Sequence, residues 1–254
     1  MVDTHAHLSA CEPEDAELVA AAAAAGVDRI LTIGMDEASN RAAVAAAESF
    51  EGVSASVGRH PSAAAGFDDD AAAELEALAG HPQVRAVGET GLDYYRDRAP
   101  REDQRAAFAA QVEVARRLEL PVVIHLRDRD GSSEAVDEVF ATLDRMEAGP
   151  VVLHCFSAPA RAGDAAARGW FCSFAGNLTY ERAGDLRRAA AELPGELLLA
   201  ETDSPFLTPQ SLRGKPNQPA NVVETGRALA AARGVSYEEL EGIVDSNAAR
   251  VFGW

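Results

Sequence analysis

The most constraining feature of this chain is a regular alternation of short β-branched apolar runs with longer Ala-, Glu- and Arg-rich segments of helical spacing. The runs predict strands at Val2–Leu8, Arg29–Met35, Val53–His60, Val84–Thr90, Pro121–Arg127, Pro150–Phe156, Trp170–Gly176 and Leu197–Ser204. The segments predict helices near residues 14–25, 36–48, 69–80, 101–119, 131–147, 160–168, 180–193, 219–233 and 237–249. Eight such strand–helix units in 254 residues predict the α/β class and one domain, residues 1–254, folded as a (β/α)8 TIM barrel.

A doubly wound open sheet is the alternative architecture. That fold is expected to carry a glycine-rich phosphate-binding turn after its first strand. Here the first strand ends in a histidine pair, His5 and His7, instead. Strands that are apolar on both faces, such as the one at 150–154, also suit a barrel with helices outside and packed side chains inside.

Charge and targeting patterns limit the partners and the compartment. The chain has 41 acidic and 23 basic side chains and a net charge of −18, which disfavours indiscriminate attraction to nucleic acid or anionic lipid. Its three cysteines form no Cys-x-x-Cys pair, so no disulfide framework is expected. The sequence starts without a signal-peptide pattern, and the longest uncharged apolar run, Leu18–Val27, is too short to span a bilayer. We therefore expect a cytoplasmic protein with no membrane contact and no obligate protein partner.

Side chains that bind metal ions recur at the carboxyl ends of the predicted strands. They are His5 and His7 on the first, His60 on the third, Glu89 on the fourth, His125 on the fifth, His154 on the sixth and Asp203 on the eighth. Each one alone has an ordinary structural explanation, such as a helix cap or a hydrogen-bonded rim residue. In a (β/α)8 barrel, however, all these positions meet on the rim where active sites lie. Their concentration there predicts a shared metal site.

The donor types predict the chemistry of that site. Residues i and i+2 of a strand share a face, so His5 and His7 can hold one ion together. Imidazole and carboxylate suit zinc, manganese or similar divalent ions, with magnesium less favoured. The donors are too many for one open ion, whereas two ions that share a bridging carboxylate use them all. Such a pair activates water, which makes hydrolysis at phosphorus or at an acyl carbon the expected reaction.

Eight motifs then give the whole chain a family resemblance. They are DTHAHL at Asp3–Leu8, VGRHP at Val57–Pro61, GETGLDYYR at Gly88–Arg96, IHLRD at Ile124–Asp128, LHCFS at Leu153–Ser157, ETDSPFLTP at Glu201–Pro209, RGKPNQPANV at Arg213–Val222 and NAARVFG at Asn247–Gly253. With them the chain resembles the TatD family of metal-dependent hydrolases, in the amidohydrolase-like superfamily. The resemblance implies a deoxyribonuclease, a 3′-to-5′ exonuclease acting on DNA ends or single strands with two divalent ions (Mg, Mn or Zn).

The resemblance also implies roles for individual residues. One ion would be held by His5, His7, Glu89 and Asp203, and the other by Glu89, His125 and His154, with Glu89 as the bridge. Asp203 would orient the attacking water and take its proton. His60 would hydrogen-bond a phosphate oxygen, or else support the ligands structurally.

Substrate contacts are less specific in the sequence. Arg127, Arg213 and Lys215 are candidates for phosphate contacts, and Tyr94 with its neighbour Tyr95 for stacking on a base. Their alternative roles are solvated loop charge and packing at the barrel mouth. The chain departs from the family pattern in two rim loops, with Ala158-Pro159 after LHCFS and with Pro216 in place of a basic residue.

Two other functions remain open from the sequence. The same metal-activated water could hydrolyse an ester, lactone or amide, including an aminoacyl ester on a transfer RNA. The rim could alternatively bind a partner as a non-catalytic metal-dependent scaffold, although all predicted ligands are present. Phosphate-binding cations and stacking aromatic side chains around the metals would favour DNA, and a closed apolar pocket would favour an acyl substrate.

Overall fold

Eight parallel strands make up the sheet of the computed structural model, which describes residues 1–254. The strands are β1 Val2–Ala6, β2 Arg29–Ile33, β3 Val53–Val57, β4 Val84–Asp93, β5 Val122–Arg127, β6 Val151–Leu153, β7 Phe171–Phe174 and β8 Leu198–Ala200. Each strand pairs in parallel with the next one along the chain. This order, with helices between the strands, confirms the predicted (β/α)8 barrel.

Nine α-helices surround the strands and follow the predicted segments closely. They are α1 Asp15–Ala24, α2 Glu37–Ser49, α3 Asp69–Ala79, α4 Arg101–Arg117, α5 Glu134–Arg145, α6 Ala162–Ala167, α7 Gly184–Glu192, α8 Val222–Arg233 and α9 Tyr237–Phe252. Capping residues define several helix ends. The Asp36 side chain accepts a hydrogen bond from the Ser39 amide at the start of α2. At the end of α8, Gly234 adopts the left-handed conformation. None of these helices combines the length and the hydrophobicity that crossing a membrane requires.

Most of the predicted strands extend too far toward the carboxyl end. The strand predicted to reach His60 ends at Val57, and the one predicted to reach Ser204 ends at Ala200. The residues beyond these ends leave the sheet and turn across the barrel mouth, as the positive φ of 55° at Asp203 shows. The strand that carries Glu89 instead continues to Asp93, so Glu89 lies inside β4 rather than at its end.

The barrel closes at the mouth, where the first and last strands meet. A bridge joins Ala6 and Ser204, the Asp203 amide donates to the His5 carbonyl at 2.8 Å, and the His7 amide donates to the Ser204 carbonyl at 2.8 Å. The closure therefore holds candidate ligands from both ends of the sequence in a defined register.

At the opposite end of the barrel, Asn247 ties α9 to β8. Its buried amide donates to the carbonyls of Gly195 (2.8 Å) and Leu198 (2.9 Å). We expect Asn247→Ala to lower the free energy of unfolding by about 1–3 kcal/mol, because a buried and a partly buried carbonyl lose their donor. Urea denaturation measures this, with the exposed neighbour Ser246→Ala as the control, expected to stay within about 0.5 kcal/mol of the parent protein. Equal effects of the two substitutions would contradict this role of Asn247.

Candidate metal centre

The residues predicted as ligands come together at the barrel mouth. Four groups have their donor atoms within 4.8 Å of one another: His5, His7 and Glu89; Glu89, His125 and His154; His5, His154 and Asp203; and His60, Asp93 and His125. These side chains belong to β1, β4, β5 and the segments after β1, β3, β6 and β8. The fold thus joins residues separated by up to 198 positions in the sequence, as between His5 and Asp203.

Glu89 lies at the centre of the cluster, and its two carboxylate oxygens face different histidines. Its Oε2 is 3.6 Å from His5 Nε2 and 3.7 Å from His7 Nε2. Its Oε1 is 2.7 Å from His125 Nδ1 and 3.0 Å from His154 Nε2. One carboxylate is therefore shared between two pairs of imidazoles.

The backbone around Glu89 explains how a residue inside a strand can point into the mouth. The register between β4 and β5 shifts between Val87 and Thr90, which places a bulge at Glu89. Bulges next to active sites reorient side chains in this way. The flanking Gly88 (φ 143°) and Gly91 (φ 139°) permit the shift, because a Cβ atom at Gly91 would lie 2.0 Å from the His125 carbonyl oxygen.

Asp203 completes the group around His5 and His7. Its Oδ1 lies 3.4 Å from His7 Nε2 and 3.8 Å from His5 Nε2. The side chain is 13% exposed, whereas that of Glu89 is 3% exposed. Both carboxylates line the cavity above the cluster, and Asp203 is the more exposed of the two.

Three of the histidines have a second partner that orients the ring. His7 Nδ1 donates to the Ile33 carbonyl (3.1 Å), His154 Nδ1 to Glu201 Oε1 (3.0 Å), and His125 Nε2 to Asp93 Oδ2 (3.1 Å). In each case the other ring nitrogen faces Glu89 or Asp203. Outer partners of this kind set the tautomer and raise the basicity of metal-binding histidines.

The two outer carboxylates, Asp93 and Glu201, are functional candidates that the sequence reasoning missed. Asp93 Oδ1 accepts from the amides of Tyr95 (3.1 Å) and Arg96 (2.7 Å), and Glu201 Oε1 accepts from the Cys155 amide (2.7 Å). Both carboxylates are buried and held in place. The motifs GLDYYR and ETDSPFLTP contain these two residues, each two to four positions from a predicted ligand. An acidic residue at that spacing could have been predicted as an outer partner of a metal-binding histidine.

Burial and mutual interaction divide the charges within the cluster. Burial lowers the pKa of His5 to about 3 and that of His60 to about 3, so both rings are neutral. Burial opposes the charge on His154 as well, but Glu89 and Glu201 raise its pKa well above the usual value. Burial also works to raise the pKa of Glu89, and the charge on His154 together with the hydrogen bonds from His125 and His154 nonetheless holds it well below the ordinary range. Glu89 is therefore an anion surrounded by imidazoles.

His5 provides the test of whether this cluster fits a metal ion. Both of its ring nitrogens are buried and have no hydrogen-bond partner, although its Nε2 points toward two carboxylates. Its ring also stacks on that of His154 at a centroid distance of 3.7 Å. Buried polar atoms are normally satisfied, and a neutral imidazole nitrogen beside two carboxylates suits a divalent cation. The residues present therefore fit the metal ions that the sequence predicts.

His60 has a different environment from the four central histidines. Its Nδ1 accepts a hydrogen bond from the Ser62 amide at 2.9 Å, so the proton of the neutral ring is on Nε2. That Nε2 lies 3.6 Å from Glu89 Oε1, and the residue lines the cavity. A neutral N–H donor thus stands beside the central carboxylate.

A cavity of about 820 Å³ opens above the cluster. Arg127, predicted as a phosphate contact, lines it together with Arg96 and Arg98, which the sequence reasoning did not single out. Phe206 and Leu207 form part of the same wall. The cavity is open and carries several cations, so it differs from a closed apolar pocket.

Three of the predicted substrate contacts do not line this cavity. Tyr94 is 1% exposed, and its hydroxyl donates to Glu138 at 2.6 Å beneath the guanidinium of Arg101, because the chain after β4 turns this ring toward the outer helices. Its neighbour Tyr95 is the exposed one, at 51%. Arg213 lies over the Tyr180 ring at 5.5 Å. Lys215 follows it in the loop after β8, where its carbonyl accepts from the Thr208 hydroxyl.

Comparison with known proteins identifies the family of this chain. Residues 2–253 match the sequence model of the family described as TatD related DNase. The chain is 42% identical to an uncharacterized metal-dependent hydrolase TatD of Mycobacterium tuberculosis, over 100% of this chain and 98% of that protein. It is 37% identical to a 3′-5′ ssDNA/RNA exonuclease TatD of Cronobacter sakazakii, over 93% of this chain and 90% of that protein.

A solved structure extends the similarity to three dimensions. YjjV, a TatD homologue from Escherichia coli K12, superposes with a TM-score of 0.91 at 27% identity, covering 100% of this chain and 98% of that one. The match of fold, of full-length sequence and of family model confirms the resemblance found in the motifs. The chain belongs to the TatD family of metal-dependent hydrolases.

Proposed function

We propose that this protein is a two-metal phosphodiesterase that removes nucleotides from the 3′ ends of single-stranded DNA. The observation that carries the proposal is Glu89, whose two oxygens face two separate pairs of histidines, as a carboxylate bridging two ions requires. The three arginines that line the cavity above it, Arg96, Arg98 and Arg127, and the name of the Cronobacter relative support a nucleic-acid substrate.

The ligand sets follow the two faces of Glu89. His5, His7 and Asp203 would hold one ion together with Glu89, and His125 and His154 would hold the other together with the same carboxylate. Divalent ions bound there supply Lewis-acid activation of water and neutralise charge on the phosphate. The mixed nitrogen and oxygen donors suit zinc or manganese, and magnesium is the third candidate.

The protein's own groups would then position the substrate and move the proton. Asp203, the more exposed carboxylate, orients the attacking water and accepts its proton. His60 is neutral and keeps its proton on Nε2, so it donates a hydrogen bond to a phosphate oxygen beside Glu89. Arg127 on the cavity wall adds a fixed positive charge that pairs with a neighbouring phosphate.

The Glu89→Gln variant tests the bridge. We expect it to reduce the amount of bound metal and to bring DNA hydrolysis to background, because the amide removes the charge shared by the two ions. The assay uses metal-stripped protein, end-labelled single-stranded DNA, and added magnesium, manganese or zinc, with products resolved by length. The parent protein should give a ladder that shortens from the 3′ end. A fully active Glu89→Gln variant would overturn the bridge, and intact DNA with every metal would overturn the nuclease.

The Asp203→Asn variant tests the proton acceptor. We expect kcat to fall by about 10²- to 10⁴-fold, with a much smaller change in KM, because a general base acts on the transition state. Metal content measured in parallel serves as the control. Comparable losses in kcat, KM and metal content would instead mean that the substitution dismantles the site.

The Glu201→Gln variant tests the outer partner of His154. We expect the affinity of the ion held by His125 and His154 to fall by about 10- to 100-fold, because an amide supports the basicity of His154 less well than a carboxylate does. Metal titration followed by calorimetry measures the loss. Glu196→Gln is the matched control, since it makes the same charge change at an exposed site before β8. An equal effect of both variants would exclude a specific role for Glu201.

A further inference from the structure

Two large apolar side chains are exposed on the whole molecule, Phe206 at 47% and Tyr95 at 51%. Phe206 lines the cavity, and the Tyr95 ring lies 4.2 Å from the guanidinium of Arg127, which also lines it. We propose that Phe206 is a stacking platform for the unpaired 3′-terminal base of the substrate. We further propose that the opposite rim, formed by Arg96, Arg98 and the Tyr95–Arg127 pair, binds the phosphates that precede that nucleotide. This inference rests on the proposed exonuclease and defines the substrate as a single-stranded end.

Phe206 stands directly beside the candidate ligands. Its ring lies edge-on to that of His7, with a centroid distance of 5.9 Å, and forms part of the cavity wall. Its amide donates to the Asp203 carbonyl at 2.8 Å. A base stacked on this ring would therefore place its own phosphodiester next to the carboxylate proposed to activate water.

The loop that carries Phe206 is held firmly by contacts that do not involve the ring. The buried Asn217 amide donates to the carbonyls of Phe206 and Thr202. Leu207 has a φ of 50°, and its carbonyl packs so closely on Gly176 that a Cβ there would lie 2.1 Å away. Because the backbone is fixed in this way, the exposed ring is not needed to anchor the loop. A preorganised exposed aromatic side chain is what a stacking surface requires.

The opposite rim carries three arginines that form no ion pair. Eleven of the 22 arginines form ion pairs, such as Arg105 with Glu138 (2.6 Å) and Arg117 with Glu76 (2.7 Å). Arg96, Arg98 and Arg127 line the cavity and form no ion pair. The guanidinium of Arg127 instead lies 4.2 Å from the centre of the Tyr95 ring. In a chain of net charge −18, this concentration of free guanidinium groups suits an anionic ligand, and forked donors suit phosphate.

The two features lie on different sides of the metal cluster. Phe206 follows Asp203 and contacts His7, whereas the arginines and Tyr95 follow Asp93 and His125 on β4 and β5. The 3′ end of a DNA single strand can therefore place its last base on Phe206 and its last phosphodiester at the metal cluster. Its earlier phosphates then lie along the arginines. A base paired in a duplex cannot reach the platform, so single strands are preferred.

A comparison of two oligonucleotides tests the platform. One ends in a normal 3′ nucleotide, and the other ends in a tetrahydrofuran abasic residue. We expect Phe206→Ala to raise KM about tenfold for the first and to leave the second unchanged, because only the first loses a stacked base. Phe206→Trp should retain the KM of the parent protein. Equal changes for both oligonucleotides in Phe206→Ala would overturn the platform.

Binding without turnover separates this inference from the proposed function. The same oligonucleotides, labelled at the 5′ end, are titrated against metal-free protein and followed by fluorescence anisotropy. Base-dependent binding that Phe206→Ala removes would support the platform even if no metal produced cleavage, an outcome that would overturn the exonuclease alone. Binding that does not depend on the terminal base would overturn the platform.

Salt dependence tests the arginine rim. Each lost phosphate contact should make the slope of log K against log salt shallower by about 0.7 for a single strand. We expect this change for Arg96→Gln and for Arg98→Gln. Arg145→Gln is the matched control, because Arg145 is exposed at the end of α5, away from the mouth, and bonds only to Thr142. An unchanged slope in both rim variants, or the same change in the control, would overturn the phosphate path.

Discussion

The structure depends on keeping one carboxylate, Glu89, buried and charged at the barrel mouth. A carboxylate removed from water is unfavourable unless cations or hydrogen bonds compensate it. Here five imidazoles come within 3.7 Å of its two oxygens, and the charge on His154 together with the hydrogen bonds from His125 and His154 holds its pKa well below the ordinary range against the effect of burial. The same arrangement leaves His5 with two unsatisfied ring nitrogens, so the protein groups alone do not complete the site. A divalent cation at this position would balance the buried charge and give the Nε2 atom of His5 a partner.

The barrel makes this concentration of donors possible. Parallel strands deliver their carboxyl ends to one rim, and the chain then departs from ideal geometry where a ligand needs a particular direction. The bulge at Glu89 and the left-handed turn at Asp203 are two such departures. The contact of β1 with the segment after β8 links His5 and Asp203 through a backbone hydrogen bond. Asp93 and Glu201 then fix the rings of His125 and His154, so the site is positioned before any ion or substrate arrives.

The charge distribution reconciles an acidic protein with an anionic substrate. The net charge of −18 repels nucleic acid at long range, but salt screens that field within about 8–10 Å. At the cavity three arginines without an ion-pair partner, Arg96, Arg98 and Arg127, accompany three carboxylates, Asp36, Glu89 and Asp203, so the mouth lacks the acidic excess of the whole chain. Such a protein should bind duplexes poorly and accept ends that enter the cavity, in keeping with the rim of Phe206 and unpaired arginines.

The sequence by itself determined the eight strands, the barrel and the group of candidate ligands, because hydrophobic periodicity and the order of strand ends are local properties. It could not show where each strand stops, since His60 and Asp203 leave the sheet through turns that depend on long-range contacts. Nor could it separate Tyr94 from Tyr95: adjacent rings face opposite ways, and only the packing of α4 and α5 against β4 decides which one is buried. The outer partners Asp93 and Glu201, and the rim of Phe206, Arg96 and Arg98, were likewise decided by tertiary structure. The physical reason is that a side chain's role in a site depends on neighbours distant in sequence, and folding alone brings those neighbours together.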